Sequence, residues 1–162
     1  ERLNGLTFQE IRKTFKDRLS DIGDAEKPII RLFIDSVDRI FKDHKKEDKL
    51  LITGATNVIQ QPEFDDPGKF QSVIELIEDK DIIIHIMDKR RIGNNNNVLI
   101  SIGSENEEEK FNEYSLITKE YTFGETSGTV GIIGPKRMEY SKVVAIVSYL
   151  GDMLSEVLTG NK

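Results

Sequence analysis

The fold is decided by residues 129–158, Thr129-Val-Gly-Ile-Ile-Gly-Pro-Lys-Arg-Met-Glu-Tyr-Ser-Lys-Val-Val-Ala-Ile-Val-Ser-Tyr-Leu-Gly-Asp-Met-Leu-Ser-Glu-Val-Leu158. Thr129–Ile133 reads as a buried strand, Gly134-Pro135 as a sharp corner, and the remainder as a long helix beginning near Lys136 or Arg137, with Pro135 in its first turn. The helix carries Val143, Val144, Ile146, Val147, Leu150, Met153, Leu154, Val157 and Leu158, with Tyr140 and Tyr149 beside them. That is more than a narrow stripe, so the helix is either buried between elements or shared with a partner. Lys136, Arg137, Glu139 and Tyr140 stand at the end of an apolar strand, where α/β folds often place ligands.

The strand order follows from working outward. Ser115–Tyr121 alternates, and Val98–Ile102 predicts a strand with Val98, Ile100 and Ile102 inward. Ile82–Met87 reads as a strand buried on both faces, with His85 packed among its neighbours. Leu50–Thr53 reads as a short strand. Phe70–Leu76 has helical spacing after Pro67-Gly68. Upstream, Phe8, Ile11, Phe15 and Leu19 predict a helix over Thr7–Ile22, opened by a Thr7/Glu10 capping box. Ile30, Phe33, Ile34, Val37, Ile40 and Phe41 predict a second over Lys27–Phe41. Lys42–Lys49 reads as a solvated turn, and Asn94–Asn97 as a flexible connection. About five strands and few long helices give an α+β domain with a mixed or antiparallel sheet.

Composition narrows the function classes. The 162 residues fit one domain or one domain with a small module. No run approaches a membrane span of about 18 apolar residues. Zero cysteines exclude disulfides, thiol catalysis and Cys-ligated metals, and fit an intracellular protein. The formal net charge of −6 argues against a dedicated DNA-binding surface in this stretch. The chain opens on Glu1 instead of Met, which suggests an excised fragment.

Candidate chemistry is sparse. Gly128, Gly131 and Gly134 recur every third residue, unlike the G-x-G-x-x-G dinucleotide fingerprint, and Pro135 removes an amide a phosphate loop would use. Close backbone approach accounts for these glycines better. His44 and His85 form no metal-binding pattern, and Glu63, Asp65 and Asp66 lack calcium-loop spacing. Lys89-Arg90-Arg91 reads as a solvated strand end. Neither a metal nor a cofactor is expected. Arg137, Glu139 and Tyr140 read as a structural network holding the last helix to the sheet, Arg137 through a carboxylate partner, so Arg137→Ala is expected to lower stability.

Several pieces then form a pattern. They are Leu3-Asn4-Gly5-Leu6-Thr7 with Glu10-Ile11; Gly54-Ala55-Thr56-Asn57-Val58-Ile59; and Gln61-Pro62-Glu63-Phe64. Next come Ile102-Gly103-Ser104-Glu105-Asn106, Ser115-Leu116-Ile117, Tyr121, and Gly128–Tyr140 with its Gly134-Pro135-Lys136-Arg137-Met138-Glu139-Tyr140 core. In this order, over nearly the whole chain, they resemble the C-terminal portion of the bacterial heat-inducible transcription repressor family HrcA. The marker residues are Gly54, Asn57, Pro62, Glu63, Phe64, Gly103, Glu105, Asn106, Gly131, Gly134, Pro135, Arg137, Met138 and Tyr140.

The resemblance implies a GAF-like domain with flanking helices and an inserted small dimerising domain, the winged helix-turn-helix domain and the early GAF-like part lying outside this sequence. The expected division is a helical segment over 1–49, a possible inserted domain over 50–92, and the C-terminal GAF-like part over 93–162. It further implies a cytoplasmic homodimer, without catalysis, that when intact binds an inverted-repeat operator upstream of chaperone genes and is modulated by a GroEL-type chaperonin. Dimer contacts are expected in the first two helices or in Gly54–Phe64. A small-molecule-sensing GAF-like domain is the alternative; a remote third option is a hydrolase.

Overall fold

The computed structural model describes residues 2–3, 6–7, 50–91 and 97–159. Five strands lie among them: β1 (Arg2–Leu3), β2 (Leu6–Thr7), β3 (Leu99–Ile102), β4 (Tyr114–Phe123) and β5 (Thr126–Pro135). Four helices accompany them: α1 (Ala55–Ile59), α2 (Pro67–Glu78), α3 (Lys80–Arg91) and α4 (Tyr140–Thr159). Strands β1 and β2 pair antiparallel, Arg2 opposite Thr7. Of the helix expected over Thr7–Ile22 only Thr7 is described, in β2; the helix expected over Lys27–Phe41, the Lys42–Lys49 turn and most of the asparagine run lie outside the described residues.

Strands β3, β4 and β5 form an antiparallel sheet in sequence order. The β4–β5 hairpin turns in two residues, Gly124-Glu125, between the paired Phe123 and Thr126, with Gly124 at φ 59° as tight hairpins require. Alternation divides β4 between two faces. Tyr114, Leu116 and Thr118 face one side; Ser115, Ile117, Lys119 and Tyr121 face the other.

The first face carries a core of Phe64, Val73, Leu76, Ile83, Ile86, Phe111, Tyr114 and Leu116, with Met87 and Ile133 packed against it. Helix α2 buries Val73 and Leu76, one helical turn apart. It starts where Asp66 accepts the Lys69 N–H at 3.0 Å, with Pro67 in the first turn. Asp79 then separates two helices by itself. Its N–H donates to the Glu75 carbonyl, closing α2, and its carboxylate accepts the Ile82 N–H at 3.3 Å, capping α3.

That cap explains why the predicted strand over Ile82–Met87 is a helix. A run of β-branched residues favours a strand only weakly. Here Ile83 and Ile86 fall on one helical face, buried against the sheet, while His85 is exposed on another. The predicted strand over Leu50–Thr53 is likewise not one. Leu50 and Ile52 are partly buried, but they meet no ladder partner among the described residues. Gly54–Pro67 holds α1 and a 3-10 turn over Pro62–Phe64.

On the other face α4 lies chiefly over β4 and β5. It buries Ile146, Val147, Leu150, Met153, Leu154, Val157 and Leu158. Lys119, only 5% exposed, runs from β4 beneath α4 and reaches Asp152 at 2.7 Å and Ser148 at 3.3 Å. Because α4 leaves β3 largely uncovered, Ile100 on this face is 46% exposed. The inward residue of β3 is Ser101 instead of the expected Val98, Ile100 and Ile102.

Gly131 sits opposite Thr118 on the α3 face. A Cβ there would come within 2.8 Å of both the Ile117 carbonyl oxygen and the Thr118 methyl group. Gly131→Ala is therefore expected to cost about 1–3 kcal/mol as overpacking, read as a lower urea midpoint; an unchanged midpoint would contradict the close approach. Acid gives a second check. The Lys110 ammonium, and then the Ile82 N–H, hold the Asp79 carboxyl below its ordinary value of 3.8. Its stabilisation is thus complete above that value and fades as pH falls through the lowered one. Asp79→Asn is expected to flatten the acid limb of the stability curve, and an unaltered limb would refute the capping role.

Candidate functional site

Three of the marker pieces meet at one end of the sheet, where β3 ends at Ile102, β4 begins at Tyr114 and β5 ends at Pro135. Between Ile102 and Tyr114 the chain makes two 3-10 turns, Gly103–Glu105 and Glu109–Phe111. Gly103 adopts φ +56°, and a Cβ on it would sit 3.1 Å from the Lys136 stem and 3.2 Å from the Asn112 carbonyl oxygen. Both the dihedral and the contact favour glycine. Glu105 turns back to accept the Ile102 N–H at 2.8 Å.

Asn106 is the centre of this loop and is 8% exposed. Its amide group donates to the carbonyls of Gly103 at 2.8 Å, Phe111 at 3.2 Å and Tyr114 at 3.2 Å. Its side-chain oxygen accepts the Ser101 hydroxyl. One side chain thus satisfies buried backbone groups on both sides of the loop, which a nonpolar residue could not do.

Behind Ser101 stands Arg90, in the last turn of α3. Its guanidinium donates to Ser101 Oγ, to Thr118 Oγ1 at 3.2 Å and to the Leu116 carbonyl at 3.3 Å. No carboxylate pairs with it among the described residues, and burial pushes its pKa below the ordinary guanidinium value. The basic cluster Lys89–Arg91 is therefore the end of a helix, and its middle member is bound to the sheet. Lys89 remains exposed and pairs with Glu107 at 2.6 Å.

The corner is built differently from expectation. Pro135 ends β5 opposite Tyr114, and α4 starts only at Tyr140. A proline is tolerated there because β5 is an edge strand among the described residues. Gly134 is buried beneath Met138, whose methyl carbon a Cβ would approach to 2.7 Å. The Glu139 carbonyl accepts the Lys142 and Val143 N–H groups, placing Glu139 just before the helix. The Tyr140 hydroxyl donates to the Lys136 carbonyl at 2.6 Å and stands 2.7 Å from Ser115 Oγ on β4. Lys136 reaches Glu113 at 3.2 Å, and Glu139 pairs with Lys142 at 2.6 Å. Arg137 is exposed, with no carboxylate in ion-pair range among the described residues. Its expected carboxylate partner is absent from that set, because its side chain points to solvent at the corner.

The remaining marker residues lie apart. Gly54, at φ 82°, leads into α1, and its carbonyl accepts the Asn57 N–H at 2.9 Å. Pro62 opens the 3-10 turn that delivers Phe64 into the core, where its ring stacks on Tyr114 at 6.3 Å between centroids. Glu63 keeps one oxygen, Oε2, buried with no hydrogen-bond partner among the described residues. Arg90, Ser101, Thr118 and Lys119 carry no sequence signal that marks them. Chemically, the sheet end is a latch of neutral and charged hydrogen bonds directed at backbone groups. Among the described residues no three metal-ligating side chains converge.

Comparisons with known proteins place this geometry. A family model described as the HrcA protein C terminal domain matches residues 1–144. The heat-inducible transcription repressor HrcA of Chlorobium phaeobacteroides (strain BS1) is 37% identical over 164 residues, covering 98% of this chain and 46% of that protein. The protein of the same description from Chlorobaculum parvum is 38% identical over 166 residues, covering 99% and 46%. The chain thus spans about half the length of the curated relatives it matches. Among solved structures, the crystal structure of a hypothetical protein at 2.2 Å resolution aligns with a TM-score of 0.57 and 18% identity. It covers 98% of this chain and 43% of that one, a likeness of fold.

The two corner residues separate experimentally. Tyr140→Phe is expected to lose about 1 kcal/mol of stability, one net hydrogen bond. Arg137→Ala is expected to stay within about 0.5 kcal/mol of the parent, as exposed substitutions do. Equal losses in urea denaturation would place Arg137 in the latch after all.

Proposed function

The chain belongs to the HrcA family, and on that premise we propose that it is the dimerising and regulatory portion of a heat-shock transcription repressor. Its role is regulatory and not catalytic. In the intact protein, a winged helix-turn-helix domain outside this sequence binds the inverted-repeat operator upstream of chaperone genes. A two-fold operator needs two such domains at a fixed separation, so the contribution of this part is to hold a homodimer together. A GroEL-type chaperonin is the proposed modulator, and the cytoplasm the proposed compartment.

The observation that carries this reading is the use to which the marker residues are put. Asn106, Gly103, Glu105, Gly134 and Tyr140 bond or pack against the protein's own backbone and side chains. A family identified by such residues is identified by a scaffold. The antiparallel β3–β5 sheet with helices on both faces is proposed as the closing part of a GAF-like domain. In support, the outer edge of β5 has no strand partner among the described residues, and the relatives are about twice as long. Leu50, Ile52 and α2–α3 share one core with the sheet, so we draw the border of the inserted dimerising unit upstream of Leu50. Two features near that border favour it as a contact region. Leu51 is 40% exposed, and Glu63 Oε2 lacks a hydrogen-bond partner among the described residues.

Sedimentation equilibrium tests the proposal. The 162-residue chain is expected at twice 18.5 kDa, and Leu51→Glu is expected to shift it toward monomer with unchanged helical circular dichroism. A monomer at all concentrations up to the millimolar range would overturn the dimerising role.

A further inference from the structure

At the corner ahead of α4, one side chain of the marker core has a reactivity that the fold does not use. Met138 is half-buried, and its neighbours Lys136, Arg137 and Glu139 are exposed. Its thioether lies over Gly134: a Cβ on that glycine would meet the Met138 methyl carbon at 2.7 Å and the sulfur at 3.9 Å. Gly134 pairs across the hairpin with Ser115, which is fully buried. Directly paired residues put their side chains on one face of the sheet, with Cβ positions about 4.5–5.5 Å apart. The sulfur therefore lies on the α4 face, beside the Ser115 hydroxyl. That hydroxyl stands 2.7 Å from the Tyr140 oxygen, and the Tyr140 hydroxyl donates in turn to the Lys136 carbonyl at 2.6 Å. The Tyr140 N–H also donates to the Met138 carbonyl at 2.9 Å.

The three methionines of the chain differ in their surroundings. Met153 is 2% exposed within the packing of α4. Met87 packs against the core, its methyl carbon 3.4 Å from where a Cβ on Gly131 would sit. Met138 stands at a bend between exposed residues. A thioether open to solvent is oxidised ahead of one enclosed in a core.

We propose that Met138 is a peroxide-sensitive switch on the start of α4. The sulfur lone pair attacks one oxygen of hydrogen peroxide, so that an S–O bond forms and the O–O bond breaks. The proton of the transferred oxygen passes to the departing hydroxide, which leaves as water. Sulfur is oxidised by two electrons and the peroxide is reduced by two. The product is methionine sulfoxide, a polar group in place of an apolar one. Its oxygen is a hydrogen-bond acceptor set beside the Ser115 and Tyr140 hydroxyls, and it competes for the protons that tie Tyr140 to Ser115 and to Lys136. The apolar cover of Gly134 is lost as well. Both changes slacken the corner where β5 gives way to α4. A thiol-dependent sulfoxide reductase returns the thioether and reverses them. Use of the switch in regulation rests on the role proposed above, whereas its chemistry is independent of dimerisation.

The test is mild hydrogen peroxide treatment of the folded 162-residue chain, followed by tryptic mass spectrometry and urea denaturation. The Met138–Lys142 peptide is expected to gain one oxygen while the peptides holding Met87 and Met153 stay unmodified. At that stage the folded-to-unfolded ratio is expected to fall about fivefold, the worth of one net hydrogen bond, and sulfoxide reductase is expected to restore it. Met138→Leu, which nearly conserves volume, is expected to keep its urea midpoint under the same treatment. In Tyr140→Phe the hydroxyl network is already broken, so oxidation is expected to lower the midpoint less than in the parent. Oxidation of Met87 or Met153 ahead of Met138, or an unchanged parent midpoint, would overturn the proposal. So would a loss in Met138→Leu or Tyr140→Phe equal to that of the parent.

Discussion

The structure depends on one cation placed where a cation is expensive. Arg90 leaves the last turn of α3 and ends against β3 and β4, bound by two hydroxyls and a backbone carbonyl with no carboxylate among the described residues. Burying a guanidinium without a counter-charge is tolerated only when its donors are met. The sheet must therefore present Ser101 and Thr118 inward at that point, and it does, on a strand whose inward residues were expected to be Val98, Ile100 and Ile102. Ser101 then directs its hydroxyl to Asn106, which ties three carbonyls of the loop that follows. Gly103 in that loop receives the Lys136 stem, the Lys136 carbonyl receives Tyr140, and Tyr140 begins α4. The chain of contacts runs from one face of the sheet to the other.

The parts legible in the sequence were those whose signal is local. The hairpin strands and the long last helix followed from alternation and apolar spacing, and α2 from helical spacing behind Pro67-Gly68. The failures share a cause, which is that a tertiary partner outweighed local preference. Ile82–Met87 has strand-like composition, yet Asp79 caps a helix there and the sheet buries one of its faces. Ser101 looks like an outward polar residue until Arg90 is known to be waiting for it. The corner was misplaced by several residues because Pro135 suits a helix start and an edge-strand end equally well. The signal that could have located α3 was the Asp79-Lys80-Asp81-Ile82 cap, a carboxylate three residues before a periodic run.

The resemblance to a repressor family and the physical reading of the residues converge from different directions. Among the marker residues, Glu105, Asn106 and Tyr140 direct their side chains at the protein's own backbone. Gly134-Pro135 ends the half-buried β5 ahead of α4, Asn106 closes a loop, and Phe64 anchors its 3-10 turn in the core. Such a set suits a scaffold.

The central claim is that Arg90, Ser101 and Asn106 act as one unit and not as three separate hydrogen bonds. A double-mutant cycle between Arg90→Met and Asn106→Ala, read by urea denaturation, measures this directly. The account expects the double variant to lose much less than the sum of the singles, with a coupling of about 1–3 kcal/mol, as for residues in one buried network. Losses that add within about 0.5 kcal/mol, as they do for independent sites, would contradict it.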